Sequence, residues 1–112
     1  MTTRAGARLW VAQRATAAIL AFCVLVHLAT IVYAVRGGLT AAQILDRTHG
    51  SVAWGTFYSL FVIAAAIHGA IGLRTIASEW LAFRGTAADA TMGLLAVASL
   101  VLGLRAVAAV VL

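Results

Sequence analysis

Apolar residues fall into three long blocks separated by short polar breaks. Between Arg14 and Arg36 stand 21 residues without a formal charge, and between Arg47 and Arg74 stand 26 more. A third apolar block runs from about Ala90 to Leu112 and is interrupted by Arg105. A hydrocarbon core of roughly 30 Å needs about 20 helical residues to cross it. Backbone in lipid must satisfy its own hydrogen bonds, so each block has to be a helix. The pattern predicts an all-α integral membrane protein. Its architecture is a three-helix up-and-down transmembrane bundle over about residues 10–35, 52–79 and 88–112, forming a single transmembrane domain over 1–112. The first apolar block is about twice as long as the core of a secretory signal and ends without a cleavage pattern, so it reads as a retained span.

The breaks between blocks carry turn and cap signals. Gly37 and Gly38 stop the first span, and Thr40-Ala-Ala-Gln43 has the form of a capping box opening a short interfacial helix to about Asp46. His49-Gly50-Ser51 then turns the chain into the second span. Arg105 lies seven residues from Leu112, within snorkelling reach of the interface.

Polar residues inside the spans are not scattered. Gln13, Thr16, Cys23, His27 and Thr30, with Leu20 and Ala34, recur at steps of three and four and trace one stripe on the first span. A second stripe carries Trp54, Tyr58, Phe61, Ala65, His68, Gly72, Thr75 and Glu79. The third span offers only small residues, Ala96, Ser99, Gly103 and Ala106, as a close-packing face would. Chemistry is therefore expected from the first two spans and packing from the third.

Composition narrows the class. Of 112 residues, 64% are hydrophobic and 10% charged, against about 45–50% and about 25% in a soluble domain. A soluble enzyme, a disordered segment and a disulfide-stapled secreted domain are excluded. The net charge of +5 comes from eight arginines spread singly along the chain, which is not the stripe or cluster of a nucleic-acid-binding surface. Arg4, Arg8, Arg14, Arg74 and Arg84 fall on the side of the N-terminus, and Arg36 and Arg47 on the other. Five against two places the N-terminus in the cytoplasm of a bacterial-type inner membrane. Trp10, Tyr33, Trp54 and Trp80 lie near span ends, as an aromatic belt does.

His27 and His68 are ionisable residues inside spans, where polar groups are costly and mark function or a hydrogen bond to a neighbouring helix. Counting from Arg14 and Arg74 puts His27 about 20 Å and His68 about 9 Å from the cytoplasmic boundary, a difference on the order of 10 Å. Two imidazoles on one iron need nitrogens only about 4 Å apart. His27 and His68 therefore do not ligate the same metal; as ligands, each needs a histidine from another chain. No Cys, His and carboxylate cluster gathers at one level, which disfavours zinc. Cys23 reads as a small packing residue and His49 as a solvated loop residue. No carboxylate lies within the core of any span, which argues against a transporter or channel subunit.

The run His68-Gly-Ala-Ile-Gly72-Leu-Arg74, with Glu79 five residues on, resembles the second-helix signature of the cytochrome b membrane-anchor subunit of succinate dehydrogenase. Gln13-Arg14-Ala-Thr16 resembles that family's first-helix motif of His-Arg-x-Ser/Thr. The spacing between the motifs and the three spans also fit. Four positions depart from the pattern: Gln13 stands for His, Trp10 for a quinone-contacting serine, Thr75 for His or Phe, and Glu79 for Asp. His27 is similar to a feature of two-haem relatives, including fumarate reductase anchors.

The resemblance implies a non-catalytic subunit of a succinate:quinone oxidoreductase that binds one or two haem b groups shared with a second small membrane subunit. It implies His68 and His27 as iron ligands, Arg14 and Arg74 as partners of quinone or haem propionate, and Arg36 as a propionate partner of an outer haem. Trp10 and Gln13, within about one turn of Arg14, are expected to wall a quinone headgroup. Iron–sulfur and flavoprotein subunits would complete the complex. A haem-free structural anchor is the alternative.

Overall fold

A computed structural model describes residues 3–112. Four helices follow one another: α1 (Thr3–Arg36), α2 (Ala41–Thr48), α3 (Val52–Trp80) and α4 (Thr86–Val111). Three of them, α1, α3 and α4, are long and apolar enough to cross a membrane. The expected spans are present, and α1 begins seven residues earlier than expected. Nothing between Thr3 and Trp10 ends a helix: the segment contains no proline and only one glycine, Gly6. Apolar length indicates which residues can cross lipid and does not fix where the helix starts.

The connections follow from local chemistry. Gly38 has φ 62°, and beyond it the capping box at Thr40 forms as its sequence dictates. Thr40 Oγ1 accepts from the Gln43 N–H, and the Thr40 N–H donates to Gln43 Oε1 at 2.8 Å. Ser51 caps α3 by accepting from the Trp54 N–H. At the other end of α3, the Phe83 N–H donates to the Ala77 carbonyl across six residues while Ala82 takes φ 53°. Ala82 thus takes the left-handed conformation just past the helix end where glycine is usual.

α3 is the middle helix, packed against α1 on one side and α4 on the other. The end holding the start of α1 is called the near end, and the end holding α2 the far end. At the far end the Thr48 hydroxyl donates to the Val110 carbonyl and the Gly50 N–H to the Val111 carbonyl, each at 2.7 Å. These bonds satisfy acceptors in the last turn of α4 that have no partner within the helix.

The core is built from small side chains: Cys23, Ala64, Ala66, Ala77 and Ala88 are buried, with Met92, Val107 and Thr16. Helices in lipid gain no hydrophobic drive from associating and rely on close packing, which small residues permit. Large apolar residues such as Phe22, Leu25, Leu94 and Leu102 face outward.

Two of the expected stripes need correction. On α4, Ser99 and Ala106 are exposed, and the packed edge runs through Ala88, Met92, Ala96, Gly103 and Val107. Gly103 lies directly against Val62, the side chain that a Cβ at this position would meet. On α3, Ala64 is buried in place of Ala65, and Thr75 and Glu79 are exposed. A central helix presents two faces, so a one-stripe reading misses the residues between them.

Candidate functional site

The α1 stripe faces α3 along its length. Thr16 and Cys23 are the buried residues of α1, and both belong to that stripe. Three cross-helix contacts set the register. Thr16 Oγ1 lies 3.3 Å from His68 Nδ1, and Tyr58 Oη lies 3.4 Å from His27 Nδ1. A Cβ at Gly72 would come 3.4 Å from Gln13 Nε2.

These contacts fix the depth of the two histidines. Thr16 and His27 are eleven residues apart on α1, and Tyr58 and His68 are ten apart on α3. At 1.5 Å per residue the imidazoles sit at levels separated by about 15 Å along the helix axes. The sequence estimate of roughly 10 Å placed Arg14 and Arg74 on one plane. The register places Arg74 about three residues nearer the near end than Arg14, an offset of about 5 Å. The larger separation strengthens the earlier conclusion that the two rings cannot share an iron.

His27 sits in an aromatic nest. Its ring meets Tyr58 and Phe61 edge-on, with centroids 5.7 Å away in each case. Trp54 stacks on Tyr58 at 5.6 Å, and Phe57 packs against Trp54, Tyr58 and Phe61. Edge-on contacts of this kind place ring hydrogens against a π face and add about 0.5–1.5 kcal/mol beyond burial.

Two apolar cavities, about 370 and 330 Å³, open beside His27 and Tyr58 at the far end. Arg47 and Tyr33 line the larger one; the guanidinium donates to Tyr33 Oη at 3.0 Å and lies 5.4 Å from the centroid of its ring. Arg47 and Tyr33 were not among the expected site residues, because nothing local ties residues 14 apart across a turn.

A third cavity, about 280 Å³, lies at the near end between α1 and α3. Leu9, Trp10, Gln13, Ile71, Arg74 and Thr75 line it. Trp10, Gln13 and Arg74, expected at a quinone site, are thus brought together. Trp10 is 62% exposed, leaving one side of the cavity open. Arg14 is exposed and does not line this cavity; it stacks on Trp10 with its guanidinium 5.4 Å from the ring centroid. Among the described residues, Gln13 Oε1 is buried without a hydrogen-bond donor. A buried unsatisfied acceptor costs about 1–3 kcal/mol. Arg36 is exposed in the last turn of α1, at the far end.

Arg74 also holds an ion pair. Its Nε donates to Asp89 Oδ1 at 2.6 Å, linking α3 to the first turn of α4. The carboxylate opposite Arg74 is therefore Asp89, not Glu79 of the motif. Asp89 was missed because its partner comes from another helix; its place in the first turn of a span was the available signal. The Asp89 side chain is 58% exposed. Exposed pairs contribute at most about 1 kcal/mol. Asp89→Asn is accordingly expected to lower stability by less than about 1 kcal/mol in a thermal melt of the purified protein; a larger loss would mean that this contact anchors α4.

Against this geometry stand the comparisons with known proteins. Residues 1–109 match the family described as succinate dehydrogenase/fumarate reductase transmembrane subunit. The chain belongs to that family. The match spans both motifs and all three long helices. No curated protein and no solved structure matches the chain. Membership makes it a multi-pass membrane subunit of a succinate dehydrogenase/fumarate reductase complex, which works with partner subunits.

Proposed function

We propose that this subunit is a cytochrome b anchor, in which His68 would hold haem b and the near-end cavity would receive the headgroup of a quinone. The observation that carries the reading is the pairing of each membrane histidine with a hydroxyl on the facing helix, Thr16 for His68 and Tyr58 for His27. A metal-bound histidine normally uses its second ring nitrogen for such a partner. Both residues fit the role, at levels about 15 Å apart. His27 would hold a second haem at the far end, and each iron would take its other histidine from a second small membrane subunit.

Bound there, haem would supply a one-electron relay whose potential would depend on its ligands and their surroundings. The chain's own residues do the rest. His68 and His27 fix the two relay levels, the aromatic nest excludes water from the outer one, and Arg36 offers a cation for propionates at that end. At the near end Trp10 provides a flat apolar wall, Gln13 Oε1 an acceptor in want of a donor, and Arg74 a rigid set of N–H donors for a carbonyl oxygen. Quinol hydroxyls and quinone carbonyls need those two kinds of partner. Arg14, stacked on Trp10, acts on the headgroup through that ring. Five arginines at this end support a cytoplasmic N-terminus, where the iron–sulfur subunit and its flavoprotein would dock.

A reduced-minus-oxidised visible spectrum of the purified complex tests the haem part. A b-type band is expected; its absence overturns the haem reading and leaves a structural anchor. The quinone part is tested separately. Trp10→Ala is expected to raise the apparent KM for a soluble quinone analogue severalfold while electron transfer to a water-soluble acceptor is unchanged. Equal loss in both assays would place Trp10 in assembly instead.

A further inference from the structure

We infer that Thr16 is a positioning residue that holds His68 in one tautomer, with hydrogen on Nδ1 and the lone pair on Nε2. The inference rests on the haem reading for its consequence, but not for its geometry.

A threonine hydroxyl has one hydrogen to donate and two lone pairs to accept with. The Thr16 hydroxyl lies 2.7 Å from the Ala12 carbonyl and 3.2 Å from that of Gln13, both one turn back on α1. The shorter contact takes the hydrogen, in the back-bonding pattern common for threonine in membrane helices. What Thr16 Oγ1 presents to His68 Nδ1, at 3.3 Å, is therefore a lone pair. Only an Nδ1–H can meet it. A neutral imidazole has one ring hydrogen, so Nε2 is left as the electron-pair donor.

Burial makes the choice firm. Thr16 is 7% exposed, so water does not compete for its oxygen. With the opposite tautomer, two lone pairs would face each other in a medium of low dielectric. His68 thus arrives with the correct nitrogen free for iron before any iron is present, and α1 holds the ring that α3 carries. The bond also tunes the ligand. A hydrogen bond accepted from Nδ1–H raises the basicity of the imidazole, which favours ferric over ferrous iron and lowers the midpoint potential.

The test uses Thr16→Val, which keeps the shape and removes the hydroxyl, and Thr16→Ser, which keeps the hydroxyl. In the assembled complex Thr16→Val is expected to raise the haem midpoint potential and weaken haem retention about tenfold. Thr16→Ser is expected to restore both. A packing role alone would leave the valine variant unchanged, and that result overturns the inference, as does failure of serine to rescue.

A second readout needs no haem. The full-length chain is labelled with 15N-histidine, made without haem and placed in lipid nanodiscs, and His68 is assigned by the signal lost in His68→Gln. Nitrogen shifts are expected to report the Nδ1–H form in the native chain and in Thr16→Ser, and its loss in Thr16→Val. An Nε2–H form in the native chain overturns the inference. If the native complex has no b-type band, the haem reading fails by itself and the nitrogen shifts still decide the role of Thr16.

Discussion

Alanine at His68 is expected to abolish a b-type band in full or remove the share belonging to the near-end haem, whereas alanine at His27 removes only a far-end share. The two rings lie about 15 Å apart along the bundle, too far for either to stand in for the other. If the near-end haem is the sole one, His68→Ala removes the whole band and His27→Ala none. If two haems are bound, the losses are partial and add up. Removing a ligand leaves its iron one imidazole short, and for a group shared between chains that loss also weakens the junction. Visible difference spectra of the two single variants and the double variant, normalised to flavin content, give the answer. An undiminished band in His68→Ala would remove His68 from the ligand set and with it the proposed near-end site. Unchanged bands in His27→Ala would return His27 to the role of a helix-to-helix hydrogen-bonder, with Tyr58 as its partner.

The second large effect concerns Gly103, far in sequence from any proposed ligand. A Cβ there would overlap Val62 Cγ1 and stand 3.0 Å from Cγ2 and 3.3 Å from Cβ. Valine cannot swing aside, because a β-branched residue in a helix has one strongly preferred rotamer. Gly103→Ala must therefore push α4 away from α3. Overpacking of this kind costs about 1–3 kcal/mol, more than the gain of up to about 1 kcal/mol from replacing a helical glycine with alanine. Loss of helix during titration of the purified chain with a denaturing detergent should occur earlier for Gly103→Ala. Val62→Ala, combined with it, should recover most of the loss, since it deletes the methyl groups in the way. Stability equal to the native chain's, or no recovery in the double variant, would show that α3 and α4 do not meet at this point.

The two variants differ in what the sequence alone could say about them. His68 stood out by being ionisable in an apolar block, and Gly103 was one of four small residues expected to form a packing face, with nothing to mark it from the other three. The three spans, the capping box at Thr40 and the polar stripe of α1 all follow from period and composition, and the fold places them as expected. Those features are local, fixed by residues within about one turn of each other. The near-end cavity was legible in part. Trp10, Gln13 and Arg74 meet there, whereas Arg14 turns to the outside of Trp10.

The differences lie in features that depend on the register between helices. The depth estimate for His27 and His68 assumed a common plane for Arg14 and Arg74, and the contact of Gln13 with Gly72 shows those arginines to be offset. Of the four small residues expected to form the packing face of α4, Ala96 and Gly103 lie on its packed edge, whereas Ser99 and Ala106 are exposed. The pairing of Arg74 with Asp89 crosses from one span to the next.

By itself, then, the sequence determined that this chain is a three-span membrane protein with two histidines on inward stripes, and its motifs already pointed to its family. Apolar length and helical period decide such things, because lipid leaves the backbone no other solution. Only the tertiary structure decided which hydroxyl meets which imidazole, which side of α4 is packed, and how far apart the levels of the two rings are. Those are questions of axial sliding and rotation between helices. They are settled by where small residues let two backbones come close, and a single helix does not carry that information.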